Sequence, residues 1–109
     1  MNTPVYQAKA ELFKTLGHPA RIRVLELLAE RDRAVSELVG QVGVEPAHLS
    51  QQLAVLRRAN LVAARKEGAT VIYSLASSRL AELLTVSRDI LTEIIIGQSA
   101  LLHDLRATA

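Results

Sequence analysis

Residues 46–75 read PAHLSQQLAVLRRANLVAARKEGATVIYSL, and their hydrophobic period changes halfway along this stretch. Three leucines of the first half recur at helical spacing: Leu49, Leu53 and Leu56. They predict a helix that begins at Pro46, a residue suited to a first helical turn, and continues to about Ala59. Asn60 is a suitable stop, because asparagine tolerates the left-handed conformation that often closes a helix.

The second half of this stretch predicts a β-hairpin. Residues 61–66 and 70–75 flank a turn that contains Gly68. Val71, Tyr73 and Leu75 are apolar, and they alternate with residues 70, 72 and 74. This alternation is the spacing of a strand. Two short strands are not stable alone in water, so we expect the hairpin to pack against the helices.

The residues before this stretch predict three more helices. Gly17 closes an early helical pattern, and Pro19 starts the next helix, which leads to a polar turn at residues 31–33. Ser36 is expected to cap a short helix that ends at Val42.

The order of these elements predicts a mainly α fold with a small β-hairpin. A short helix, a tight turn and a second helix form a helix-turn-helix, here at about residues 36–59. The hairpin that follows, at about residues 61–75, is the wing of a winged helix-turn-helix. We expect the whole chain, residues 1–109, to form a single domain.

A long helix follows the hairpin. Ser77 or Ser78 is expected to cap it, and its apolar pattern continues to about Leu105. The apolar band is too wide for one small domain to cover. Exposed bands of this kind usually mark an interface.

The composition excludes several classes of protein. Apolar residues make up 50% and charged residues 22%, which is typical of a globular domain. The chain has no Cys, which excludes disulfides, thiolate metal sites and a cysteine nucleophile. No stretch approaches the roughly 20 apolar residues that cross a bilayer, and the N-terminus lacks the pattern of a signal peptide. We therefore expect a soluble, cytoplasmic protein with no membrane partner.

Three stretches together resemble the ArsR/SmtB family of bacterial repressors. The resemblance covers roughly residues 6–105 and is carried, in the family's order, by FKTLGHPARIRVL at 13–25, LSQQLAVLR at 49–57, and NLV at 60–62 with Arg65, Gly68 and IYSL at 72–75. Family members often have His, Lys and Gly where this chain has Gln52, Ala54 and Asn60. These differences affect the expected operator sequence and leave the expected fold unchanged.

The resemblance implies that the helix at 46–59 enters the major groove of DNA. Small and amide side chains suit base contacts, because Gln can bind adenine, Ser can bond either base type and Ala can touch a thymine methyl. The expected base-reading residues are Ala47, His48, Ser50, Gln51 and Gln52. For His48 a phosphate contact or simple exposure remains open.

The basic residues near this motif are expected to hold the DNA backbone, which positions a protein without reading sequence. The expected phosphate contacts are Arg57, Arg65, Lys66 and Thr70. One or two of the basic side chains can instead serve solubility alone.

The resemblance also implies a homodimer formed by the terminal helices, at about residues 6–16 and 78–105. Such a dimer presents two recognition helices to adjacent major grooves. The expected interface residues are Phe13, Leu83, Ile90, Leu91, Ile94, Ile95, Leu101 and Leu102.

We expect no bound metal and no cofactor. Metal-sensing relatives in the resembled family use a Cys motif, here near residues 36–39, or Asp/His clusters on the last helix. The last helix offers Asp89, Glu93, His103 and Asp104. Leu91, Leu102 and Leu105 occupy the positions of the family's other ligands, so only a weak site between two last helices remains open.

The predicted function is a sequence-specific DNA-binding regulator, acting as a repressor on a palindromic operator. The alternative is a winged helix that serves as a protein-interaction module without binding DNA. Enzyme classes are not supported, because the three His are scattered and no Gly-rich phosphate loop is present. The sequence leaves the effector, the operator and the regulated genes unidentified.

Overall fold

The structure of the chain, a computed structural model, describes residues 3–107. Its helices and strands follow in this order: α1 (Val5–Leu16), α2 (Pro19–Glu30), β1 (Arg33–Ala34), α3 (Val35–Val42), α4 (Pro46–Arg58), β2 (Val62–Glu67), β3 (Thr70–Leu75) and α5 (Arg79–Ala107). Helices α3 and α4 form a helix-turn-helix, and β2 and β3 form a hairpin directly after it. The predicted fold class, a mainly helical winged helix-turn-helix, is confirmed.

The hydrophobic core lies around α2. Val24 and Leu25 of this helix are fully buried. Side chains of α3, α4 and the hairpin close the core from the other sides: Leu38, Leu49, Leu53, Leu56, Leu61, Val62 and Tyr73. Burying an aliphatic side chain of this size stabilises the fold by about 1.5–3 kcal/mol relative to leaving it exposed. The core therefore fixes how α4 and the wing lie relative to α2.

The end of α4 shows why the chain turns sharply from helix to strand. Asn60 has φ +60°, the left-handed conformation that the sequence predicts at this position. The Leu61 N–H donates to the Leu56 carbonyl and the Asn60 N–H donates to the Arg57 carbonyl, both at 3.0 Å. This pair of bonds is the Schellman motif, which satisfies carbonyls that the helix leaves without partners.

A third strand, β1, corrects the prediction of a polar turn at residues 31–33. Arg33 pairs with Tyr73 and Ala34 with Ile72, so the sheet has the antiparallel order β1-β3-β2. The Arg33 side chain is 6% exposed and donates from Nε to the Leu27 carbonyl at 3.2 Å. Two residues are too few to show strand periodicity, which is why the pattern indicated a turn.

The start of α3 also differs from the prediction. The helix begins at Val35, so Ser36 lies inside its first turn and does not cap it. The Glu37 carboxylate instead accepts a hydrogen bond from the Ala34 N–H at 3.4 Å. A hydrogen bond from the Arg31 guanidinium, together with this backbone contact, lowers the pKa of the Glu37 carboxyl.

Helix α5 packs on the core only through its first turns. Ser77 Oγ accepts a hydrogen bond from the Arg79 N–H at 3.2 Å, in agreement with the predicted cap. Leu80, Leu83 and Leu84 then pack against the core, whereas every residue of α5 beyond Leu84 is exposed. Among the described residues, no helix is both long and apolar enough to cross a membrane.

Candidate nucleic-acid interface

The outward face of α4 carries three of the predicted base-reading residues. Ala47, Ser50 and Gln51 are exposed, while the leucines at 49, 53 and 56 face the core. Gly43 has φ +76°, a conformation that glycine adopts without steric cost, and this permits the tight turn between α3 and α4. The turn places the N-terminal half of α4 at the surface, where it can approach a base edge.

His48 lies beside this face and is half-buried. Its ring centroid is 5.7 Å from that of His18, with the two planes inclined by 40°. The His18 Nδ1 accepts a hydrogen bond from the Ala20 N–H at 3.2 Å, so His18 caps α2. His48 therefore packs partly within its own chain, and its contact with DNA remains a prediction.

The position of the Gln52 side chain corrects the prediction that this residue reads bases. Its side chain is 6% exposed, and its Oε1 accepts a hydrogen bond from Arg21 Nε at 2.7 Å. A buried and bonded amide is not available to a base edge. Spacing along α4 places Gln52 beside the outward face, and only the position of Arg21, 31 residues earlier in the chain, shows that it points inward.

Arg21 is a residue that the sequence analysis missed. Its spacing from Glu26 indicates an ordinary surface pair within α2, yet the pair that forms is Arg23 with Glu26 at 3.5 Å. Arg21 instead bonds to Gln52 and, from Nη1, to the Thr15 carbonyl at 3.1 Å. No local pattern in the sequence indicates these two contacts.

The basic residues near α4 differ in how their charge is compensated. Arg57 is exposed in the last turn of α4, as expected for a residue that contacts the DNA backbone. Arg65 forms ion pairs with Asp32 at 2.8 Å and with Glu67 at 3.0 Å. Hydrogen bonds to these two carboxylates raise the pKa of the Arg65 guanidinium, and the two carboxylates locally balance its charge.

Lys66 and Thr70 lie near the tip of the hairpin, and both are exposed. Lys66 is opposite Val71 in the β2–β3 ladder, and Thr70 is opposite Glu67. Within residues 3–107, Lys66 forms no ion pair, in contrast to Arg65. Lys66 is thus the basic side chain of the wing whose charge is available to a phosphate.

A second surface, which we name the α1–α5 apolar face, is formed by α1 and by the part of α5 that leaves the core. It consists of the exposed large apolar residues Val5, Tyr6 and Phe13 of α1 and Val86, Ile90, Leu91, Ile94, Ile95, Leu101, Leu102 and Leu105 of α5, while the exposed Ile96 lies on the other side of α5. Seven of the eight predicted interface residues belong to it. Leu83 is the exception, because it is half-buried and packs against its own core.

A groove of about 480 Å³ opens on the α1–α5 apolar face between α1, α2 and α5. Phe13, Ile22, Leu83 and Leu91 are among the residues that line it.

A helix-turn-helix with an exposed second helix and a hairpin beside it defines a winged helix-turn-helix DNA-binding protein. The family model described as "Bacterial regulatory protein, arsR family" matches residues 18–64. The chain is also 58% identical over 105 residues to the uncharacterized HTH-type transcriptional regulator Rv0081 of Mycobacterium tuberculosis, covering 95% of this chain and 92% of that protein. The chain therefore belongs to the ArsR family of transcriptional regulators.

Solved structures agree with this assignment. The crystal structure of M. tuberculosis Rv0081 superposes with a TM-score of 0.82 at 56% identity, covering 89% of this chain and 98% of that one. The transcriptional repressor BigR from Xylella fastidiosa gives 0.73 at 35% identity, covering 78% and 87%. A homodimeric winged helix-turn-helix DNA-binding domain from Mycobacterium bovis gives 0.75 at 28% identity, covering 84% of each.

Family membership decides between the function classes left open by the sequence. The chain is a DNA-binding transcriptional regulator and not an enzyme. The alternative of an interaction module without DNA binding is not supported by these relatives.

Proposed function

We propose that the chain represses transcription as a homodimer that binds a two-fold symmetric operator in the cytoplasm. The observation that carries this proposal is the α1–α5 apolar face on a chain with a single recognition helix, α4. One helix reads one half-site, whereas a two-fold dimer presents two helices to major grooves one helical turn apart. Dimerisation therefore explains the exposed apolar face and also supplies the second recognition helix that a two-fold symmetric operator requires.

The apolar face supports a second copy of this chain as its partner. Eleven large apolar residues form this face on α1 and α5, a band that a monomer in water rarely maintains. The opposite side of α5 carries Asp89 and Glu93, so the helix is amphipathic along the part that leaves the core. An antiparallel partner helix would bury the apolar side and leave the acidic side in water.

Within the proposed complex, Ala47, Ser50 and Gln51 read base edges in the major groove. All three are exposed near the N-terminus of α4, the end of a recognition helix that enters the groove. Lys66, Thr70 and Arg57 would hold the backbone on either side. Arg65 would need to exchange a carboxylate partner for a phosphate, so we expect it to contribute less to the affinity for DNA than Lys66 does.

Binding to the DNA upstream of its own coding sequence tests the proposal. A gel-shift titration at two stated salt concentrations should show an affinity at least about a thousandfold higher for a specific segment than for random DNA of equal length. Salt must be stated, because the phosphate contribution falls steeply as salt rises. Equal affinity for both DNAs would contradict the proposal.

Gln51→Ala and Lys66→Ala should weaken binding in different ways. Gln51→Ala is expected to cost about 1–3 kcal/mol on the operator and little on random DNA, because it removes a base contact. Lys66→Ala should weaken both and reduce the salt slope by about one, because it removes a phosphate contact. Gln7→Ala, on exposed α1, is the control. An unchanged ratio of specific to random affinity in Gln51→Ala would refute its base-reading role.

We expect that no metal ion acts as the inducer. The chain has no Cys for a thiolate site, and Leu91, Leu102 and Leu105 occupy the positions of the family's other ligands on the last helix, whereas a zinc site needs three or four converging ligands. Titration of the purified dimer with zinc, nickel and cobalt should leave operator affinity unchanged. Micromolar binding of one ion per subunit pair, with release of DNA, would contradict this expectation.

A further inference from the structure

Arg21 joins three helices through two hydrogen bonds. It lies on α2, and its Nε donates to the Gln52 Oε1 of α4 at 2.7 Å. Its Nη1 donates to the carbonyl of Thr15 in α1 at 3.1 Å. Both bonds are partly buried, and the side chain of Gln52 is almost fully enclosed.

The contact with Thr15 has a clear physical reason. The last four carbonyls of a helix have no partner within the helix, and α1 ends at Leu16. A guanidinium at this end satisfies one of these carbonyls and interacts favourably with the negative pole of the helix dipole. Arg21 therefore fixes the C-terminal end of α1 against α2.

The contact with Gln52 constrains the recognition helix. Leu49, Leu53 and Leu56 hold α4 on the core through apolar contacts, which have little directional preference. A charge-assisted hydrogen bond of 2.7 Å is directional and about twice as strong as a neutral one. Gln52 follows Gln51 directly, so fixing Gln52 inward also fixes the angle at which Gln51 faces outward.

We propose that Arg21 is a positioning residue for DNA recognition, which sets the orientation of α4 relative to α1. This inference rests on the proposed function, in which α1 belongs to the dimer interface and α4 reads the operator. Arg21 then relates the reading helix to the dimer axis and so sets the spacing between the two recognition helices. It does so without contacting a base.

Three variants separate positioning from stability: Arg21→Met, Gln52→Met and the double variant. Gln52→Met leaves the Arg21 Nε without its acceptor, and Arg21→Met leaves both Gln52 and the Thr15 carbonyl without this donor, so each single change costs stability. The double variant replaces both partners of the Arg21–Gln52 bond by apolar groups, a change that is often nearly neutral for stability, and leaves the Thr15 carbonyl without its donor. We therefore expect its thermal unfolding midpoint to return towards that of the wild type.

Operator binding is expected to behave differently from stability. All three variants should lose about tenfold in operator affinity, the change in equilibrium that corresponds to one charge-assisted hydrogen bond. Affinity for random DNA should change less than about twofold, because no phosphate contact is removed. Arg23→Met is the matched control, since it removes the same charge two residues away, from an exposed pair.

The outcomes distinguish the inference from the proposed function. Wild-type operator affinity in Arg21→Met, or a double variant that recovers operator affinity together with stability, would overturn the positioning role alone. A wild-type protein that does not prefer the upstream DNA over random DNA would remove the proposed function and this inference with it. Loss of random-DNA affinity equal to the loss on the operator would reassign Arg21 to a phosphate contact.

Discussion

Ile94→Asp should convert the proposed dimer into a folded monomer. Operator affinity should fall by about a hundredfold, because linking two binding sites in one dimer raises the affinity by at least that factor. Ile94 lies near the middle of the exposed part of α5 and is 49% exposed in the single chain. Two copies would bury it, and an unpaired carboxylate in an apolar interface is far too costly to keep there.

The monomer itself should tolerate this substitution. Ile94 is not among the side chains that pack on the core, which involve α5 only through Leu80, Leu83 and Leu84. Circular dichroism should therefore retain most of the helix signal. Sedimentation measures the change of mass, and gel shift measures the loss of operator binding.

Ala100→Asp provides a matched control for Ile94→Asp. It adds the same charge to the same helix, seven residues after Glu93 and hence on the acidic side of α5. We expect this variant to remain a dimer with unchanged operator affinity. If Ile94→Asp sediments as a dimer, or if both variants dissociate equally, the assigned interface is wrong.

The helix ends near α4 and the wing could be predicted because each has a local cause. Asn60 adopts the left-handed conformation, Pro46 begins α4, and Gly68 has φ +64° in the hairpin turn. Each of these signals depends on the residue's own backbone preferences, which the sequence shows directly. The end of α5 was predicted from a different signal, its apolar pattern, and lies two residues beyond the predicted Leu105.

The positions of the buried polar residues could not be predicted in this way. Gln52 lies beside the outward stripe of α4, and only its neighbour on α2 shows that it points inward. Arg33 lies in a run of charged residues that indicates a solvent-exposed turn. The partner of Gln52 is 31 residues away in the sequence, and Arg33 itself belongs to a strand too short to show a period. Local patterns carry no information about such pairs.

Arg33→Met should lower the free energy of unfolding by about 2–4 kcal/mol, the range for breaking buried charged hydrogen bonds. Besides its bond to the Leu27 carbonyl, Arg33 donates from Nη1 to Gln41 at 3.1 Å. It also forms ion pairs with Glu30 at 3.5 Å and Glu37 at 3.8 Å. These contacts join the end of α2, helix α3 and strand β1.

The expected loss of unfolding free energy is smaller than the loss caused by breaking a fully buried ion pair. The reason is that the Glu30 and Glu37 carboxylates are exposed enough to be hydrated when Arg33 is removed. The cost then arises at the buried site of Arg33 itself, where the Leu27 carbonyl at the end of α2 would keep only the longer bond from the Arg31 N–H at 3.5 Å. Strand β1 pairs with β3, so loosening Arg33 should also loosen the wing. Operator affinity should therefore fall together with stability.

Arg31→Met is the control for this prediction, because Arg31 carries the same charge two residues earlier on the surface. Its ion pair with Glu37 is exposed, and pairs of this kind contribute about 0–1 kcal/mol. Urea unfolding of both variants at one fixed protein concentration gives the comparison, since the stability of a dimer depends on concentration. Equal losses in the two variants would show that burial does not distinguish Arg33. A much larger loss in Arg33→Met would show that this buried guanidinium holds the wing to the helix-turn-helix.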